Sequence, residues 1–429
     1  MKGEYILSAS ATALIILAVT IILFVSGKVP LPVTAVGAAL AMGLFGVIPF
    51  SSAFAGFSND VTMMVIGSMI IGEALFETGI AQKIGSTIIH MVGRREKSFI
   101  IACVIVSVVL SAFLSNTAVV AMMLPVVAAT AATSNGAITK KNTYMAIGFA
   151  ANIGGGMTLV GSTPNVIGQG LLADSGLATM GFFDLTLGSL PRFVFMILFY
   201  ANIGCVLQNK VFDFPEVQLD LPTDEGAPEK QYSFVKMAIS SAILVLTVIG
   251  FISGVWTVGA IAILAGLTCI VTGCISIKQV FQRLDWTTVW VLAGSLGFAA
   301  GISQSGAGQL IADTVIGWMG GNISMFKLLV IFTLLSVLMG NLMSSSASVA
   351  MLGPIAISMC ISLGYEAKPV IMAIIWSLNL AFLTPIATPP VTMTLQGGYR
   401  FLDYTKVGSI LLAGCLILSI ASYPFVFQL

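Results

Sequence analysis

The sequence predicts an all-α, polytopic membrane protein made of two inverted repeats, each with five crossings, one re-entrant hairpin and one broken helix. Three observations lead there: scarce charge, an internal repeat at nearly constant spacing, and the side on which Lys and Arg fall. Of 429 residues, 58% are hydrophobic and 8% charged. A water-soluble domain carries about 25% charged residues, because its surface must meet water. Hydrocarbon is therefore the expected solvent, and about 20 apolar residues are needed per helical crossing. A net charge of +1 gives no reason to expect a nucleic-acid partner.

Apolar stretches fall near 5–26, 31–50, 61–79, 98–133, 143–173 and 187–209, then near 233–253, 255–276, 287–304, 325–363, 368–397 and 405–427. The first is longer than a signal-peptide core and has no small-residue cleavage site, so it reads as a membrane helix. Two stretches in each set are interrupted. The N-terminal repeat, 1–209, has a re-entrant hairpin at 98–133 and a broken helix at 143–173. The C-terminal repeat, 233–429, has its hairpin at 325–363 and its broken helix at 368–397. Between them, 210–232 carries Asp213, Glu216, Asp220, Asp224, Glu225 and Glu229, and reads as a solvated cytoplasmic linker.

The interruptions align. Ser115-Asn116-Thr117-Ala118 pairs with Ser344-Ser345-Ser346-Ala347 at an offset of 229. Gly67-Ser68 and Thr78-Gly79 pair with Gly294-Ser295 and Ser305-Gly306 at 227, and Ser162 and Pro164 pair with Thr388 and Pro390 at 226.

An odd number of crossings per half inverts the second repeat. With the N-terminus outside, the inside loops hold Lys28, Lys83, Arg94, Arg95, Lys97, Lys140, Lys141, Lys210, Lys230, Lys236, Lys278, Arg283, Arg400 and Lys406. Only Lys2, Arg192, Lys327 and Lys368 fall outside. Inside loops carry the excess of positive charge, so both termini are expected outside the cell (inner) membrane.

The breaks form the candidate site. Unpaired backbone groups in hydrocarbon cost several kcal/mol each, so non-helical backbone is tolerated only beside protein or a cavity. Half-helix N-termini at Ser115–Thr117, Gly161–Asn165 and their counterparts offer free N–H groups and a positive dipole end to an anion. Freed carbonyls and Ser, Thr and Asn oxygens suit Na⁺. Paired discontinuous helices in two halves are the mark of a midplane site in secondary transporters.

Ser115-Asn116-Thr117 followed by Gly161-Ser162-Thr163-Pro164-Asn165, with a second copy ending in Ala387-Thr388-Pro389-Pro390, resembles the divalent anion/sodium symporter family of the ion transporter superfamily. The resemblance runs from about Val61 to the C-terminus and includes Glu77-Thr78-Gly79. It implies a homodimer with elevator-type movement of a transport part against a scaffold part, and a dicarboxylate, citrate or sulfate substrate. By the same analogy Asn116, Thr117, Ser345 and Ser346 would contact the anion, helped by Ser162, Thr388 and Pro389. One Na⁺ would sit near Ser111, Ser115, Asn116 and Gly161, and a second near Gly340, Ser344, Ser345 and Ala387. The chain departs from the family at Ser345, where asparagine is usual, at Val391, also usually asparagine, and at Gly340, the counterpart of Ser111. It is also short at its N-terminus by one helix that many members carry.

No Arg or Lys is expected inside the site, so a dianion there would be neutralised by helix dipoles, hydroxyls and more than one Na⁺. Glu73 and Glu77 lie one turn apart near the inner end of a crossing, beside Lys83 and Arg94. They read as structural or gating residues first and as a proton or ion site second. Asp60, Asp285 and Asp403 flank helix ends and read as caps or solvated groups. His90 is the only histidine, and the six cysteines form no C-x-x-C pair. No cofactor, metal other than Na⁺, or enzymatic activity is therefore expected. Na⁺-coupled symport of a C4-dicarboxylate is the first expectation. Carriage of sulfate or citrate, Na⁺-independent exchange, and Na⁺/H⁺ antiport through Glu73 or Glu77 are its rivals.

Overall fold

The computed structural model describes residues 8–26, 28–80, 82–83, 95–134, 136–215, 232–318, 323–385 and 387–428. Lys2, Arg94, Lys230, His90 and the linker from 216 to 231 lie outside the described residues. Those residues contain helices and no strand. The first half of the chain contributes α1 (Ala9–Ser26), α2 (Leu31–Leu44), α3 (Phe50–Phe54), α4 (Asp60–Glu77), α5 (Glu96–Ser111), α6 (Asn116–Thr133), α7 (Lys140–Gly155), α8 (Thr163–Asp174), α9 (Asp184–Phe199) and α10 (Cys205–Val211). The second half contributes α11 (Phe234–Ser253), α12 (Val258–Val271), α13 (Ile277–Arg283), α14 (Trp286–Gln304), α15 (Ala307–Trp318), α16 (Met325–Leu342), α17 (Ser345–Leu363), α18 (Ala367–Leu378), α19 (Pro389–Met393) and α20 (Phe401–Val426).

Local chemistry sets many of the ends. Asn59 caps α4 by accepting from Val61 N at 2.8 Å, and Ser276 with Gln279 forms a reciprocal capping box on α13. Asp285 caps α14 through Thr288 N and Oγ1. Asp403 accepts from Arg400 N at 2.8 Å. Asp60 serves another helix: its carboxylate accepts from Thr257 Oγ1 and Gly259 N at the start of α12. Pro164 and Pro389 stand in the first turns of α8 and α19, where a missing N–H costs nothing.

Among the described residues, eight helical segments are long and apolar enough to cross a membrane, so the chain is a multi-pass membrane protein. The α2 and α12 helices are shorter, at 14 residues each, about 21 Å. Stretches 31–50 and 255–276 are thus only partly helical crossings. Ile15, Ile22, Leu187, Leu198 and Ile417 stand exposed on the outer helices, as a hydrocarbon solvent requires.

The closest packing joins the two halves. The α4 helix lies along α12, and α14 lies along α2. A Cβ on Gly67 would come within 2.2 Å of the Ala262 carbonyl carbon, and one on Gly294 within 2.6 Å of the Ala35 carbonyl carbon. Gly67 and Gly294 are 227 residues apart, as are Ala35 and Ala262. Such backbone-to-backbone approach is how small residues join helices in a membrane.

Arg192 departs from the sequence expectation. Counted there as an outside charge, it is buried within α9, where Nη1 donates to the Trp376 carbonyl at 3.4 Å. Its guanidinium lies 5.0 Å from the centroid of the Trp376 ring. The helix begins at Asp184, which carries Arg192 two turns into the packed interior and not onto a loop. The six cysteines are free, and all but Cys205 are fully buried.

Candidate functional site: a central cavity between four broken-helix tips

Four helices begin at one place. The starts of α6, α8, α17 and α19 line a cavity of about 290 Å³. Their N-cap residues are Ser115, Ser162, Ser344 and Thr388, and none of these side chains caps its own helix. Elsewhere in the molecule Asn59, Thr257, Ser276, Asp285 and Ser324 cap theirs, whereas Thr139 and Ser233 do not. Ser and Thr are preferred at N-caps because the hydroxyl accepts from the first turn. At the cavity the first-turn N–H groups lack that partner.

Every residue expected to touch an anion, Asn116, Thr117, Ser162, Ser345, Ser346, Thr388 and Pro389, lines this cavity. Of those expected around Na⁺, Ser115, Asn116, Gly161, Ser344, Ser345 and Ala387 also line it. Ser111 and Gly340 sit behind the lining. Ser111 Oγ is buried without a hydrogen-bond partner, and its carbonyl oxygen would be 2.8 Å from a Cβ on Gly161. Gly340 is pressed on Leu378, whose Cδ2 would lie 3.0 Å from an added Cβ.

The two tips differ in reach. With its amide nitrogen turned to the first break, Asn116 donates to Ala151 O at 3.1 Å and to Gly161 O at 3.2 Å. With its oxygen turned there, the same geometry gathers three oxygens suited to a cation. Ser345, its counterpart, donates to Leu378 O at 3.2 Å. Ala151 and Leu378 are themselves counterparts, 227 apart. The single hydroxyl thus repeats one of the two amide contacts.

Residues that the sequence did not single out tie the breaks together. Asn152 Nδ2 donates to Thr388 Oγ1 at 3.1 Å. Asn379 Nδ2 reaches the other way, to Asn165 Oδ1 at 3.3 Å. Asn165 Nδ2 donates to Gly155 O at 2.7 Å and Thr158 O at 2.8 Å, bracing the first break. Asn152 and Asn379 are 227 apart and both line the cavity.

The expectation of no fixed cation at the site is corrected. Arg283 lines the cavity, with Glu73 and Asp285. The short α13 helix ends at Arg283 and returns that charge to α4 instead of leaving it on a loop. Arg283 Nη1 pairs with Glu77 Oε2 at 2.7 Å, so Arg283 is a partner of Glu77 that the sequence reading placed on a loop. A second hollow, bounded by Glu73, Phe76, Glu77, Tyr232 and Arg283, shares Glu73, Phe76 and Arg283 with the first at this end of α4.

The profile of the citrate transporter family, CitMHS, matches residues 21–349 and again 248–429. An uncharacterized transporter of Haemophilus influenzae is 26% identical over 97% of this chain and 92% of its own length. The sodium-dependent high-affinity dicarboxylate transporter 3 of Caenorhabditis elegans is 24% identical over 92% of this chain and 80% of its own. Among solved structures, the YdaH transporter of Alcanivorax borkumensis superposes with a TM-score of 0.62 at 14% identity, covering 88% of each chain.

Proposed function

The chain belongs to the citrate transporter family, a transporter and not an enzyme, and from that premise we propose that it carries a small divalent anion, a C4-dicarboxylate, by Na⁺-coupled symport. The observation that carries this reading is the convergence of four helix starts whose N-cap hydroxyls do not cap them. Each helix N-terminus contributes roughly half a positive charge, and the uncapped N–H groups are donors for carboxylate oxygens. At about 290 Å³ the cavity stands at the small end of ligand sites, which span about 300–1,000 Å³.

Charge gives the reason for coupling. Arg283 is engaged by Glu77, and Glu73 and Asp285 add negative charge to the same wall. A dianion there gains from cations brought with it. Ser111 Oγ, Asn116, Gly161 O and Ala151 O offer oxygens for one Na⁺ in the first half. The second half, with Gly340 and Ser345, offers fewer. The sodium-dependent dicarboxylate relatives support the ion and the substrate class.

The interlocked pairs α4 with α12 and α2 with α14 suit a scaffold against which the hairpins and broken helices move as an elevator. In this reading the halves are inverted repeats, 98–133 and 325–363 are re-entrant, and both termini face outside. The hollow beside Glu77 then opens to the cytoplasm. The homodimer follows from the family resemblance alone. Uptake into proteoliposomes of succinate, citrate and sulfate, each with and without an inward Na⁺ gradient, tests the assignment. Succinate uptake driven by Na⁺ is expected, and uptake indifferent to Na⁺ would reject it.

A further inference from the structure

The second break has lost the asparagine that braces the first. Asn165 is fully buried and ties Gly155 O to Thr158 O across the first break. Its counterpart at an offset of 226 is Val391, whose side chain can donate nothing. The backbone of Leu380–Thr384 is nevertheless held, and another residue holds it. Asn341, the last polar residue of α16, donates from Nδ2 to Leu380 O at 3.2 Å and accepts at Oδ1 from Leu383 N at 2.8 Å. Its own carbonyl accepts from Thr384 Oγ1 at 2.9 Å. That last bond has an equivalent in the first half, where Thr158 Oγ1 donates to Ala112 O. Thr158 and Thr384 are 226 apart and Ala112 and Asn341 229 apart, the offsets of the two motifs themselves. The backbone contact is therefore common to the halves, and only the second half adds an amide at that position.

We infer that Asn341 is the positioning residue of the second half-site, doing from the hairpin what Asn165 does from within the first break. This rests on the second break being part of the transport site. The amide fixes the path of Leu380–Thr384, and with it the carbonyls and N–H groups of that segment. A buried amide making these bonds is worth keeping, because unmet partners in a dry interior cost free energy. An asparagine at 391 would face Ala381 and Thr384, the counterparts of Gly155 and Thr158, and so could brace the same segment.

The test uses the full-length protein in detergent or lipid and three variants: Asn341→Ala, Val391→Asn and the two combined. Amide hydrogen exchange of the 379–388 peptide is read without any substrate, so it remains decisive even if the symport reading fails. Exchange in Asn341→Ala is expected to rise about tenfold, as for the loss of a buried hydrogen bond, and to fall back toward wild type in the double variant. Half-saturation by Na⁺ in succinate uptake should rise and recover in the same order, with Asn165 and the first break untouched. Exchange unchanged in Asn341→Ala, or a double variant no better than the single, would overturn the inference. If Asn341→Ala does not fold, recovery of folded protein in the double variant supports it. Failure of the double while Val391→Asn alone folds contradicts it.

Discussion

Asn152 and Thr388 belong to different halves of the chain, yet the Asn152 amide donates to the Thr388 hydroxyl at 3.1 Å. Asn379 returns the connection by donating to Asn165. The end of each long half-helix thus holds the break of the other half, and the two half-sites share one hydrogen-bonded frame. Removing Asn152 frees Thr388 and leaves Ala381 O without its 3.5 Å donor. Asn152→Ala is expected to weaken succinate affinity about tenfold, the effect of roughly 1.4 kcal/mol. Asn152→Asp, which turns a donor into an acceptor facing Ala381 O, should be worse. Equilibrium binding on purified variants reads both, and unchanged affinity in Asn152→Ala would sever the proposed link.

The reach of Asn116 and Ser345 predicts an order of damage. Asn116→Ala removes an amide that spans Ala151 O and Gly161 O. Ser345→Ala removes one bond to Leu378 O and leaves the backbone donors of α17 in place. With about 1.5–3 kcal/mol for a hydrogen bond to a charged group, Asn116→Ala should weaken anion binding at least about tenfold and raise the Na⁺ requirement. Ser345→Ala should cost less on each count, and Ser345→Asn should be tolerated. Titrating anion affinity against Na⁺ decides it, and equal damage from the two alanines would make the half-sites equivalent.

Glu77 and Arg283 form a pair that is partly open to solvent, with the Arg283 side chain 37% exposed. Pairs of this kind contribute about 0–1 kcal/mol. Glu77→Gln is therefore expected to fold normally and to keep Na⁺-driven uptake within a few fold. Glu73→Gln should behave alike if Glu73 is a wall residue of the cavity. A folded Glu73→Gln protein that has lost all coupling would instead make Glu73 a carrier of protons.

Gly67 and Gly294 carry the interlock between halves, and their equivalence can be measured. Gly67→Ala and Gly294→Ala each push a methyl group into backbone across the contact, an overpacking that costs about 1–3 kcal/mol. Each should lower the thermal unfolding temperature in detergent by a similar amount. Gly37→Ala, where nothing lies within 4 Å of the added carbon, should not. A lowered temperature in Gly37→Ala alone would remove this contact from the account.

The repeated break motifs were legible because Ser115–Thr117 and Gly161–Asn165 each recur at a spacing that apolar packing does not explain. The amides that position them were not legible singly. Asn152, Asn341 and Asn379 each stand alone in an apolar stretch, where one polar residue reads as an incidental buried amide. The pairing of Asn152 with Asn379 at 227 was open to discovery, since Gly67 and Gly294 share that offset. Asn341 has no polar counterpart, because Ala112 occupies the equivalent place, so only the fold reveals it. Arg283 and Arg192 misled for one reason. Charge in sequence was assigned to loops, whereas a seven-residue helix carries Arg283 back to α4, and α9 starts early enough to bury Arg192 against Trp376.

The central claim is that Na⁺ supplies positive charge for a dianion, since the Arg283 charge at the cavity is already engaged by Glu77. Its most direct test is calorimetric titration of the purified protein with succinate at fixed ionic strength, with Na⁺ replaced stepwise by choline. Linkage requires succinate affinity to fall as Na⁺ falls, and Na⁺ affinity to fall equally when succinate is withdrawn. A loss of at least about tenfold in succinate affinity between saturating Na⁺ and choline, about 1.4 kcal/mol of coupling, is the predicted result. Equal succinate affinity in Na⁺ and in choline would contradict it.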